Sequence, residues 1–259
     1  MFFLSIFKVL VLSLLLLIDE CNSINIHKLF KRSLSIVISS SSLSLPLLVN
    51  AVNNIDQDLT PSQLIQRGMK SFSNGQLLSS VEYFDEAKTK DPRLENYLWQ
   101  RGLSLYYMNE FKDCATQFKK DLIVNKDDTE EAIWNMACQT NLNIENGKGI
   151  KEALEDARKN MLIIENERRP ILAIAYDVFK GKQPIEKLIE SAGNQDDQST
   201  TYFYSKMYQS LLKDIEQDKP NGLILMKEAL DSAYAKNSND YMITLAKNHV
   251  KIREMEMEQ

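Results

Sequence analysis

Gly68 and Phe84 recur as Gly102 and Phe118 at one common offset, inside sequence whose apolar positions follow a helical period. A fixed period of that length, about 34 residues, constrains the chain to a stack of helical hairpins, in which each unit buries its apolar face against its neighbours. In the first unit, 61–94, a helical run breaks at Asn74-Gly75 and a second run ends near Asp91-Pro92. Gly68 falls where the two helices must approach closely. Phe84 and Ala87 face inward from the second helix, and Pro92 stops it. Thr60 followed by Pro61 predicts an N-cap and a first helical residue. The unit 95–128 repeats the plan, with Leu98, Gly102 and Leu105 on one helix, Asn109 at the turn and Phe118 on the next.

Further along the period loosens. A third hairpin is predicted over Thr129–Leu142 and Ile150–Ile163 around Asn146–Gly149, and a fourth over Pro170–Phe179 and Pro184–Ala192 around Gly181. Thr200–Leu212 and Asn221–Ala235 form a fifth, and Asp240–Arg253 closes the array before a solvated acidic tail over 254–259. Almost no segment alternates with period two for the length of a strand. The prediction is an all-α array over 56–253.

The two units resemble tetratricopeptide repeats, which implies an α-α superhelix whose first helices line a concave groove. At the places that such repeats use for binding stand Ile65, Met69 and Phe72, then Asn96, Trp99, Leu103, Tyr106 and Tyr107, then Glu130, Ile133 and Thr140. Of these, Ile65, Met69, Phe72, Trp99, Leu103, Tyr106, Tyr107 and Ile133 are the candidate groove residues. Their apolar and aromatic character is that of interface anchors, although aromatic stripes in helices also serve simply to pack hairpins together. Cochaperone repeats grip C-terminal carboxylates with Lys, Asn and Arg at such places; this groove is mainly apolar there, which disfavours a chaperone-tail clamp. The runs Arg101–Tyr107, Phe111–Leu122 and Asp128–Trp134, Arg169-Pro170 with Ala175-Tyr176, Tyr202–Tyr204, and Asp240–Met242 with Leu245–Lys247 resemble a plastid tetratricopeptide family of plants and algae without assigned activity. A more distant likeness is to bacterial periplasmic lipoprotein adaptors that dock proteases and cell-wall hydrolases. Their lipobox is not matched, since Cys21 follows Asp19-Glu20.

The first 51 residues differ in composition. Met1–Ile18 is apolar apart from Lys8 and two serines, and residues 1–23 read as a signal peptide. Ile24–Ile55 contains no acid, carries Lys28, Lys31 and Arg32, and holds seven serines between Ser33 and Ser44. Such a stretch reads as a transit peptide, and a second apolar run ends at Ala51 with small residues suited to cleavage. The order resembles leaders of lumenal proteins in algae with secondary plastids, which implies the thylakoid lumen. The alternative is a single signal anchor with a stalk, in the secretory pathway or at a membrane.

Setting aside those 51 residues removes four basic and two acidic side chains from 31 and 36, and leaves a net charge of −7. Nucleic acid and anionic lipid are disfavoured as partners by that balance. One histidine, His249, remains, which argues against Ser-His and Cys-His chemistry. Gly147-Lys148-Gly149 lacks the context of a phosphate loop, and the acid pairs sit at predicted helix starts, where they complement the helix dipole. No cofactor or metal is predicted. Cys114 and Cys138 read either as packed thiols or as a disulfide between adjacent hairpins. The expected function is a non-enzymatic protein-binding scaffold in a plastid, assisting assembly, processing or turnover of membrane complexes. The alternatives are an adaptor serving a lumenal protease, or a stable subunit of a larger complex.

Overall fold

The computed structural model describes residues 59–193 and 197–258. The two leader segments lie outside them. The described residues hold twelve α-helices and no strand. These are α1 (Pro61–Ser73), α2 (Leu77–Lys90), α3 (Trp99–Tyr107), α4 (Phe111–Val124), α5 (Thr129–Glu145) and α6 (Ile150–Lys159). The second half contains α7 (Pro170–Phe179), α8 (Glu186–Gly193), α9 (Thr200–Ile215), α10 (Lys219–Asp231), α11 (Ala233–Asn237) and α12 (Tyr241–Met257). The expected all-α architecture is the observed one, and its unit is a helical hairpin.

Five hairpins share one turn. The odd-numbered helices α1 to α9 each end at a residue with positive φ: Gly75, Asn109, Gly147, Gly181 and Gln217, which follow one another at nearly even intervals along the chain. At each turn that residue's N–H donates to the carbonyl three back and the next N–H to the carbonyl five back, as in Gly75 to Phe72 (2.8 Å) and Gln76 to Ser71 (2.9 Å). These bonds satisfy carbonyls that a helix end would otherwise leave orphaned. Glycine takes this left-handed backbone without penalty, whereas Gln217 has to bear it with a side chain.

The starts are equally local. Thr60 and Gln63 form a reciprocal capping box with Pro61 at the first helical position. Asp128 accepts from Glu130 N and Glu131 N at the head of α5, so this acid is a cap. The helix ends that differ most from expectation are those of α6, α10 and α12. Helix α6 stops at Lys159, because the segment that follows is held by side chains: the Tyr176 hydroxyl donates to Leu162 O, and Lys180 Nζ to Met161 O. Helix α10 stops at Asp231, where Ser232 donates to Ala229 O and caps α11. Helix α12 runs on to Met257, and the tail expected to be solvated is helical, with Glu254 paired to Lys227 and Glu256 to Lys219.

Packing within the hairpins follows the offset that the sequence repeats. A Cβ built on Gly68 would lie 2.9 Å from the Phe84 ring, and one on Gly102 would lie 2.7 Å from Phe118. Between hairpins the same offset holds. Ser80 of α2 and Ser104 of α3 share a hydrogen bond of 2.9 Å. One period further on, the same places hold Cys114 of α4 and Cys138 of α5, joined as a disulfide with Cα atoms 6.0 Å apart. Of the two readings of the cysteines, the disulfide is the one observed.

Gly102→Leu is expected to drive its side chain into Phe118 and to cost about 1–3 kcal/mol. A thermal melt followed by circular dichroism measures this; an unchanged melt would mean that α3 and α4 do not cross at Gly102.

Candidate functional site

The odd-numbered helices were expected to line an open groove. Instead α12 lies along their inner side, packed on α10 and reaching α1. Its stripe Met242, Ala246, His249 and Arg253 is buried throughout. At the α1 end, Asn248 Nδ2 donates to Phe72 O, and the Tyr241 ring meets Phe72 (6.2 Å) and Trp99 edge-on (5.2 Å).

Deeper in, a polar network joins four helices. Arg253 Nε and Nη2 donate to the two carboxylate oxygens of Asp214 at 2.6 and 2.7 Å, and both side chains are buried. The Tyr106 hydroxyl donates to Asp214 Oδ2 (2.8 Å), and Gln217 Nε2 donates to Asn141 Oδ1 (3.1 Å). Tyr107 bonds His249 Nδ1 through its hydroxyl (3.1 Å), while His249 Nε2 is buried without a partner. Burial pushes the His249 pKa down to about 4, with the nearby Arg253 charge acting the same way and Asp214 opposing it. The imidazole is therefore neutral near pH 7. Burial raises the Asp214 pKa, yet the Arg253 charge and the other groups around it outweigh that and hold its carboxyl below the usual range.

A second network lies at the starts of these helices. Glu130 accepts from Tyr208 (3.1 Å) and from Arg169 (3.1 Å), which also holds Glu167. Asp240 accepts from Tyr204 (2.8 Å) and Tyr234 (3.0 Å).

The predicted groove residues thus divide. Phe72, Leu103, Tyr106, Tyr107 and Ile133 are buried, and as a docking surface they are corrected to core, because neighbouring helices cover them, α12 among them through His249 on Tyr107 and Asn248 on Phe72. Ile65, Met69 and Trp99 are half-buried, with Trp99 packed against Tyr241 at the edge. Asp214 and Arg253 were missed. Their signal was a charge standing at a stripe position among apolar residues, which on a helix face calls for a buried partner.

The Asp214 and Arg253 charges neutralise one another, and the neutral His249 is buried against the Tyr107 hydroxyl. Among the described residues no group of three His, Cys, Asp or Glu could hold a metal ion, and no helix is long and apolar enough to cross a membrane. An open cavity of about 400 Å³ beside Gly181, lined by Arg158, Ile185 and Leu212, has Arg158 Nε committed to Phe179 O (3.2 Å).

Glu131 is a strongly perturbed carboxyl. Burial, then Asp128, Asp121 and Glu130, push its pKa up to about 9. The folded state keeps this proton across a range where the unfolded chain, titrating near 4.5, has lost it. Stability is therefore full below the unfolded pKa and falls as pH rises toward 9. Glu131→Gln removes the titration. Its melting temperature is expected to exceed wild type by a few degrees at about pH 8 and to match it at about pH 4, read from melts across that range. An offset that does not change with pH would mean that Glu131 is ionised in the fold.

No protein-family model, curated protein or solved structure matches the chain.

Proposed function

We propose that the chain is a tetratricopeptide-type scaffold that holds a protein or peptide partner in a plastid, in the thylakoid lumen, during assembly, processing or turnover of membrane complexes. The observation that carries this reading is the register. Five hairpins close with one turn geometry at nearly even intervals, and the Gly-Phe crossing of the first hairpin recurs at the matching places of the second. Repeat arrays of this kind offer extended surfaces and seldom chemistry. The partner docks on the part of the inner side that α12 leaves uncovered, through the half-buried Ile65 and Met69, one turn apart on α1, and the half-buried Trp99 of α3. The compartment rests on the acid-free, serine-rich leader, and a disulfide fits delivery outside the reducing cytosol.

Crosslinking mass spectrometry on intact organelles, run with wild type and Met69→Asp, tests the interface. A charge at a half-buried anchor is expected to cost about 2 kcal/mol of affinity, roughly thirtyfold, with the fold retained. Recovery of the same crosslinks at the same yield would place the interface elsewhere.

A further inference from the structure

We propose that the junction between α4 and α5 is a switchable seam, clasped at one end by the Cys114–Cys138 disulfide and at the other by the buried carboxyls of Asp121 and Glu131, and that a dithiol reductant together with alkaline pH opens it. The two helices run antiparallel in one register. Cys114 meets Cys138, Asn135 Nδ2 donates to Ala115 O (2.7 Å), and the Phe118 and Trp134 rings stack at 6.5 Å. The next step of that register brings Asp121 to Glu131. Asp121 Oδ1 accepts from Leu98 N (3.1 Å) and Gln117 Nε2 (3.0 Å), but Asp121 Oδ2 and Glu131 Oε2 are buried without partners. A buried carboxylate oxygen without a donor is costly, and the cost disappears if the group holds a proton.

The preceding junction, α2 with α3, serves as an internal control. One period earlier in the chain, the places of the disulfide hold Ser80 and Ser104, and those of the acid pair hold Ala87 and Tyr97. At those places that seam has neither a reducible bond nor a carboxyl, and the carboxyl it does use, Asp85 of α2, is paired with Arg101 of α3 (2.7 Å), so the fold itself requires neither the disulfide nor the unpaired acids. Cys114 and Cys138 are fully buried, which puts reduction after a local opening. Exchange with the dithiol breaks the Sγ–Sγ bond, leaves two cysteine thiols and converts the reductant to its own disulfide; two electrons and two protons pass to the protein.

The acid end responds to pH because the charges acting on Glu131 are all negative: Asp128 and Glu130 on α5 and its cap, and Asp121 on α4. Around Asp121, Arg101 of α3 lowers its pKa and Asp128 raises it, and burial outweighs the donors to leave it at about 7. Deprotonation of the pair adds like charges in one buried place, and the helices separate there.

Hydrogen exchange resolved by helix, on the full chain with and without dithiothreitol at about pH 6 and pH 8.5 and corrected for intrinsic rates, tests this. In the reduced protein at the higher pH, α4 and α5 are expected to exchange about tenfold faster or more, with α2 and α3 nearly unchanged. Cys114→Ser with Cys138→Ser copies the pair of the preceding seam and should behave as reduced whatever the reductant. Glu131→Gln should weaken the pH response to the part that Asp121 carries and keep the redox response. An equal rise in every helix, no rise in α4 and α5, or no linked Cys114–Cys138 peptide in an unreduced digest overturns the proposal. The wild-type comparison decides this even if a variant fails to fold.

Discussion

Replacing Arg253 by alanine is expected to cost about 3–5 kcal/mol of folding free energy. The guanidinium makes two bonds to Asp214 and a third to Glu256 (2.8 Å), and lies 5.6 Å from the centre of the Tyr107 ring. Its removal leaves the Asp214 carboxylate inside the array with the Tyr106 hydroxyl as the one remaining donor of the three described. Breaking a buried pair costs more than the pair contributes over an apolar replacement, because the surviving charge stays desolvated. For a domain with a net stability of about 5–15 kcal/mol, this is a large fraction. Urea denaturation provides the measurement, and adding Asp214→Asn to Arg253→Ala should recover part of the loss, since the stranded charge goes with it. A change below about 1 kcal/mol would mean that α12 is not seated on α9 and that water reaches the pair.

Tyr107→Ala is expected to lower stability by about 3–5 kcal/mol, the range for deleting a buried ring. Tyr107 packs against Phe72, Tyr106, Trp134 and His249, with centroids 5.3–6.4 Å apart, and its hydroxyl engages His249 Nδ1. The cavity would open beneath α12, where a backbone tied at both ends relaxes little. At about 2–4 °C per kcal/mol, the melting temperature should fall by roughly 10 °C. Tyr107→Phe keeps the ring and removes the bond to His249, for about 1 kcal/mol. A Tyr107→Ala protein that melts like wild type would show the inner side to be open, and the tyrosine stripe would regain its standing as a docking surface.

Much of the hairpin plan was legible in the chain. Gly68 with Phe84 and Gly102 with Phe118 announced the helix crossings, Asn74-Gly75 and Asn109 the first two turns, and Thr60-Pro61 the first cap. These are contacts within a few turns of one helix or across one tight turn, and their energetics fit in a short window of sequence. Gln217 gave no such signal, since nothing in a glutamine marks the left-handed residue that closes the fifth turn. The end of α6 was missed for a related reason: the groups that hold residues 160–164 are Tyr176 and Lys180, which lie beyond the break.

What the sequence by itself determined is the helical hairpin, its period and its turns, because each follows from bonds between near neighbours in the chain and from side chains meeting at a fixed offset. Tertiary structure alone decided whether the inner side would stand open. That depends on contacts between residues far apart in the chain, and no single motif encodes it. Asp214 reaches Tyr106 across 108 residues and His249 reaches Tyr107 across 142, and α12 becomes the occupant of the space that the same aromatic stripe offered to a partner.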